Sequence, residues 1–325
     1  MEFYGRSRAP GKVILLGEHA VVYGYPAISL AIDRFTQVTL ASSSTPVVRT
    51  RIPHVPQLFP EAALHEACRV VLDRVARHLG LELGSSALEV ESEVPPGVGL
   101  GSSAALSVAT VRAVGAAVGR SLSDEEVCEA AFHVEHYFHG RPSGIDNTVA
   151  TFGGLLRFVR GEPPLQLRCP AAPPLVVIVG RQPRQTGAVV ARLEEKRRQA
   201  PGSVDARLRR IGELASEAEP LLARADWQAL GEVMLANHAL LRELEVSTPE
   251  LDELVAGALC RGAYGAKLTG GGGGGAVLCL VPEARHEFTD WFQHQGWHAF
   301  SVDIFCNERG NDERHSAGYP HLSQA

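Results

Sequence analysis

The segment Pro95-Pro96-Gly97-Val98-Gly99-Leu100-Gly101-Ser102-Ser103 constrains this chain more than any other stretch. Glycines alternating with other residues let the backbone adopt positive φ and approach a ligand closely. Leu88, Val90 and Val94 mark a strand before the loop. Ala104 to Val118, rich in Ala and Val and nearly free of charge, predicts a helix buried on most sides. A helix N-terminus behind glycines offers unpaired N–H groups and a positive dipole end, so the loop reads as a phosphate cradle. It is not a P-loop, because no Gly-Lys-Ser/Thr follows, and its spacing is not that of a dinucleotide fingerprint. The competing reading is a tight turn needed only for packing.

A second glycine cluster, Gly270 to Gly275 after Lys267-Leu268-Thr269, precedes the apolar run Ala276-Val277-Leu278. Six consecutive glycines are costly in chain entropy, so another backbone or a ligand is expected close by. Near the N-terminus, Lys12, Glu18 and His19 stand between apolar runs where a purely structural strand would carry Thr or Ser. In a third region Glu135 falls at helical spacing with Ala131 and Phe138, so its carboxylate points inward, and Asp146 lies in a polar loop. Inward carboxylates need a cation or a donor. A zinc site from His133, Glu135, His136 and His139 lacks the Pro-Cys-x-x-Cys and His-Glu-x-x-His patterns, and the histidines read instead as a polar helix face.

With 325 residues the chain is long for one core and comfortable for two. The apolar runs Val13–Leu16, Ala27–Leu30 and Val38–Leu40 read as separate strands. Glu61 to Leu79 reads as a surface helix stopped by Gly80, and Ser123 with Glu126 forms a capping box for a helix ending near Gly140. The Pro-rich stretch 162–174 reads as a connector, giving a first unit of 1–169 and a second of 170–325. A strand over 175–179, helices through Leu259, strands over 276–281 and near Val302, and a polar tail from Asn307 follow. A formal charge of −6 and no long basic stripe make nucleic acid an unexpected partner. Six cysteines without CxxC spacing fit a reducing cytoplasm, and no run approaches the length of a membrane span. A homodimer is compatible with the sequence, which does not report oligomeric state.

Taken in order, Ala9 to Gly24, Pro95 to Ala105 and Lys267 to Gly275 resemble the three motifs of the GHMP kinases. Gly17-Glu18-His19-Ala20-Val21-Val22-Tyr23-Gly24 is similar to the mevalonate kinase branch, as is His139-Gly140-Arg141-Pro142-Ser143-Gly144-Ile145-Asp146-Asn147. Gly271 departs from the Ala usual in the third motif.

The resemblance implies an α+β fold: an N-terminal domain like domain 2 of ribosomal protein S5, a C-terminal ferredoxin-like domain, and the site between them. It implies ATP bound over Pro96, Gly97, Val98, Gly99, Leu100, Gly101, Ser102 and Ser103, with Ser92 as a further nucleotide contact. Ser103 and Glu135 are implied Mg²⁺ ligands, Asp146 the catalytic base, and Lys12 the cation beside the reacting hydroxyl. Glu18, His19 and Thr186 are implied contacts of mevalonate. The alternatives are a relative with another acceptor (phosphomevalonate, mevalonate at its 3-oxygen, or a sugar), a nucleotide-binding regulator without catalysis, and a dinucleotide oxidoreductase.

Overall fold

The structure, a computed structural model, describes residues 3–52, 60–139, 142–182, 184, 186–282 and 285–307. The polar tail beyond Asn307 lies outside them.

The first sheet is built on two long antiparallel strands, β1 (Tyr4–Leu16) and β2 (Ala27–Ser42). Ala27–Leu30 and Val38–Leu40, expected as separate strands, belong to one. Between them no Gly or Pro interrupts the ladder, and Asp33 is tied to Asp303 through both backbone and carboxylate. Next come β3 (Val47–Arg51), the surface helix α1 (Glu61–His78) and β4 (Ser86–Ser92), which pairs antiparallel with β2. β3 runs parallel to β4, which requires a crossover, and α1 supplies it. β4 stops at Ser92, short of Val94, and the prolines that follow lack the N–H a ladder needs.

Helices α2 (Ser102–Ala117), α3 (Asp124–His139) and α4 (Ile145–Phe152) cover the first sheet with α1. Small side chains such as Ala104, Ala105 and Ala109 let α2 bury most of its length between β1 and its helical neighbours. At the start of α3, Ser123 and Glu126 exchange both hydrogen bonds of the capping box, at 3.2 and 2.9 Å. Strands β5 (Leu155–Phe158) and β6 (Leu165–Gln166) complete this sheet.

The second sheet holds β7 (Leu175–Val179), β8 (Gly265–Thr269), β9 (Ala276–Leu280) and β10 (His298–Val302). Helices α5 (Thr186–Gln199), α6 (Pro201–Arg224), α7 (Trp227–Glu243) and α8 (Pro249–Cys260) lie between β7 and β8, and α9 (Arg285–His294) between β9 and β10. The spatial order β10-β7-β9-β8, all antiparallel, is that of a ferredoxin-like unit with extra helices. β8 was not expected as a strand, because its five buried residues run directly into the glycine cluster. One apolar cluster joins the two sheets, with Val13, Leu15 and Leu30 packed among Val177, Leu278, Leu230 and Met234. The motifs converge beside that joint.

Candidate active site

The glycine loop has the backbone its sequence demands. Gly97, Gly99 and Gly101 all have positive φ, between 72° and 92°. A Cβ on Gly99 would lie 2.9 Å from the Thr269 carbonyl, and one on Gly101 would lie 2.7 Å from Cγ of Lys12. The second glycine cluster is what presses on the first: a Cβ on Gly270 would meet Cα of Gly99 at 3.3 Å, and one on Gly275 the Val98 carbonyl at 2.9 Å. The entropic cost of six glycines therefore corresponds to a close approach of two backbones, as expected. Among the described residues no side chain caps the first turn of α2, so its N–H groups and positive dipole end stay open to an anion.

Strand β1 brings Lys12 to the same place. Its Nζ is buried, 3.0 Å from Oδ1 of Asp146 and 3.2 Å from the Gly99 carbonyl. Asp146 stands in the first turn of α4, entered through Gly144 at φ 90°. Burial alone would raise the Asp146 carboxyl, but Lys12, supported by His139 and Arg184, holds it below the ordinary carboxylate range. It is therefore ionised at neutral pH.

From α3, Glu135 does point inward, at 1% exposure. Ser103 Oγ donates to its Oε2 at 3.1 Å, and Ser107 Oγ to its Oε1 at 3.4 Å. His139 Nε2 lies 3.3 Å from Ser103 Oγ and 3.4 Å from Oε2 of Glu135. The polar-face reading thus holds for His133, His136 and His139, all exposed, and His139 in addition reaches Ser103 and Glu135 at the edge of the site. Among the described residues, Glu135, His139 and Asp146 form the one group of three or more such side chains with ligand atoms within 4.8 Å of one another, so the four-residue zinc set is not assembled.

Arg184 is a site residue that sequence reasoning passed over, although the stretch around it was noted for Thr186. Its Nη1 lies 3.4 Å from where a Cβ of either Gly99 or Gly270 would be. Burial lowers its pKa, opposed by the charges of Asp146 and Glu135. Two cations and two carboxylates therefore face one another at the foot of α2.

The remaining expected residues fall into two groups. His19, at φ 60°, places Nε2 3.1 Å from the Gly271 carbonyl. Burial drives its pKa down to about 4, so the ring is neutral, Nε2–H donates to that carbonyl, and Nδ1 is left as an acceptor. Glu18 is 1% exposed and pairs with Lys267 and Asn237, neither of which the sequence reading named as a site residue. Ser92 is engaged locally: its hydroxyl meets Thr36 Oγ1 at 2.8 Å and accepts from the Val94 N–H at 3.0 Å. Thr186 opens α5, and its side chain, like Gly140 and Arg141, lies outside the described residues.

An uncapped helix behind a glycine loop, a buried lysine–aspartate pair at its foot and a serine–glutamate pair beside it are the kinds of group that phosphoryl transfer uses. The family model for the GHMP kinases N terminal domain matches residues 65–154, and that for the GHMP kinases C terminal matches 218–289. The chain belongs to the GHMP kinases, and the mevalonate kinases among its relatives are ATP-dependent kinases acting on an alcohol. Within that family its relatives lie on the mevalonate kinase branch. A mevalonate kinase of Pyrococcus horikoshii is 37% identical over 309 residues, covering 87% of this chain and 90% of its own. One from Thermococcus sibiricus is 35% identical over 309 residues, covering 86% and 90%. Among solved structures, that of L. major mevalonate kinase in complex with R-mevalonate superposes with a TM-score of 0.83 at 30% identity, over 93% of this chain and 96% of that one. The Methanococcus jannaschii mevalonate kinase gives 0.77 at 26% identity, over 92% and 98%.

Proposed function

We propose that this chain transfers the γ-phosphoryl group of ATP to the 5-hydroxyl of (R)-mevalonate, a step of isoprenoid synthesis, as a cytoplasmic enzyme. The observation that carries the chemistry is the contact between Lys12 and Asp146 beside the glycine loop. The acceptor reading is supported by the mevalonate kinase relatives and the likeness to a mevalonate complex. No helix among the described residues is long and apolar enough to cross a membrane. The unit 1–169 would carry the nucleotide loop and the unit 170–325 would close over it from the glycine cluster.

In this reading the α2 N–H groups and the loop backbone cradle the phosphates, with Ser92 a contact of the nucleotide. The ionised Asp146 accepts a hydrogen bond from the acceptor hydroxyl and takes its proton as the oxygen attacks the γ-phosphorus and the bond to the β-phosphate oxygen breaks. Lys12 stabilises the charge developing on that oxygen, and Arg184, beside Gly99 and Gly270, adds a second cation at the loop. The neutral His19 offers Nδ1 to a substrate hydroxyl and Thr186 completes the acceptor end; the family pattern would add Glu18, whose oxygens already accept from Lys267 and Asn237.

The hard oxygen donors Ser103 and Glu135, a hydroxyl and a buried carboxylate 3.1 Å apart, fit Mg²⁺. When bound, the ion would neutralise charge on the β- and γ-phosphates. Glu135→Gln keeps the shape and removes the charge. It is expected to raise the Mg²⁺ concentration needed for half-maximal activity and to lower turnover with folding intact; an unchanged Mg²⁺ dependence rejects Glu135 as a ligand.

An acceptor panel tests the function as a whole. With MgATP, (R)-mevalonate is expected to exceed galactose, homoserine and phosphomevalonate by at least about 10²-fold in kcat/KM, because mismatched acceptors leave buried polar groups unpaired. A faster sugar or phosphomevalonate retains a kinase and rejects the acceptor.

A further inference from the structure

Glu18 is expected, from the family pattern, to touch the acceptor, yet both its oxygens are already committed. Oε1 receives Lys267 Nζ and Oε2 accepts from Asn237 Nδ2 at 3.3 Å, with Glu18 and Lys267 at 1% and 0% exposure. These contacts use about two of its roughly four lone-pair sites, and at 1% exposure the carboxylate faces protein rather than an open pocket.

What the pair does hold is the seam between the strands that carry the site. Lys267 lies on β8, two residues before Thr269. The Thr269 hydroxyl accepts from the Ile14 N–H at 3.0 Å and donates to the Ile14 carbonyl at 3.1 Å, two residues beyond Lys12. Past Thr269, Gly270 abuts Gly99, and the Gly271 carbonyl receives His19. Lys267 Nζ also donates to the Leu268 carbonyl at 2.7 Å, fixing the ammonium within β8. The arrangement is electrostatic as well as mechanical. Burial raises the Glu18 carboxyl and lowers the Lys267 ammonium; the contact between them opposes both shifts, while Lys12, a second buried cation, also lowers Glu18 and disfavours the charge on Lys267.

We propose that Lys267 and Asn237 are positioning residues for phosphoryl transfer, and that the Glu18 carboxylate they hold serves as counter-ion and tie for the Lys12 strand rather than as a ligand of the acceptor. The inference rests on the mevalonate kinase reading above and deepens it. Lys267 acts through Glu18 and the β1–β8 seam and does not itself touch substrate.

Kinetics of Lys267→Met, Glu18→Gln and the double variant, in the full chain with MgATP and (R)-mevalonate, separate the two roles. Each single variant leaves one charge buried without its partner, whereas the double removes both. Misplacing the Lys12 strand by about 1 Å is expected to lower kcat about 10²-fold in the single variants, with KM for mevalonate within about threefold of the parent. The double variant is expected to recover to within about tenfold of the parent kcat. A role in binding the acceptor predicts the reverse: KM raised about 10²-fold in both Glu18→Gln and the double, with kcat kept. That result, or a double variant no faster than the singles, overturns the proposal. Thermal unfolding of each variant identifies a single that does not fold, and the double, which buries no lone charge, then decides by its split between kcat and KM. Failure of the parent protein to phosphorylate mevalonate would instead overturn the underlying function.

Discussion

Asp146→Asn lowers turnover by about 10²-fold or more while ATP affinity stays close to that of the parent, the scale expected when a positioned base loses its charge. The amide still fills the space and its oxygen can still accept from Lys12 Nζ, 3.0 Å from Oδ1 in the parent, so the fold survives. What is lost is the ionised oxygen that Lys12, His139 and Arg184 keep deprotonated against burial. In the proposed reading the nucleotide is held elsewhere, by the loop and the α2 N-terminus, and so is not expected to sense the change. Steady-state kinetics with calorimetric ATP binding checks both halves. Near-normal turnover would make Asp146 a structural partner of Lys12 and nothing more.

Gly101→Ala is expected to cost as much activity through geometry alone. The residue sits at φ 74°, where a side chain is strained, and its Cβ would lie 2.7 Å from Cγ of Lys12. Cγ lies mid-chain in a buried lysine, so it cannot swing into solvent. The lysine must shift away from Asp146 or the entry to α2 must unwind. We expect a stability loss of about 1–2 kcal/mol from the left-handed backbone and a fall in kcat of about 10²-fold from displacement of the ammonium. Gly24→Ala is the control: it also has positive φ, but nothing lies within 4 Å of its added Cβ. It should lose comparable stability and keep its rate. Equal loss of rate in both variants would show that backbone strain, not the contact with Lys12, governs activity.

The local parts of this molecule were legible in its sequence because their causes are local. The capping box at Ser123 and Glu126, the buried small-residue helix α2 and the inward turn of Glu135 follow from spacing and residue type along one element. The demand of the glycine cluster for a close neighbour was legible too, although not that the neighbour would be the other glycine loop. What escaped depends on pairs far apart in the chain. Glu18 and Lys267 are 249 positions apart, and no periodicity links them. Arg184 has no pattern around it, and its role appears only when the second sheet sets it over Gly99 and Gly270. His139 looked like one more polar residue on a helix until α2 placed Ser103 beside it. Strand β8 was hidden because its buried residues end in glycines, and β2 was divided because its two apolar runs are separated by a stretch holding Asp33 and Arg34, which the fold keeps extended with Asp33 bound to Asp303.

The central claim, transfer of phosphate from ATP to the primary hydroxyl of mevalonate, is tested most directly by the structure of the product. The protein is incubated with MgATP and (R)-mevalonate, and the product is examined by phosphorus–proton correlation NMR. The account predicts a single phosphate coupled to the methylene protons of carbon 5, formed with one ADP per phosphate transferred. A phosphate on the tertiary 3-oxygen, which bears no such protons, or ATP hydrolysis without a phosphorylated mevalonate, would contradict it.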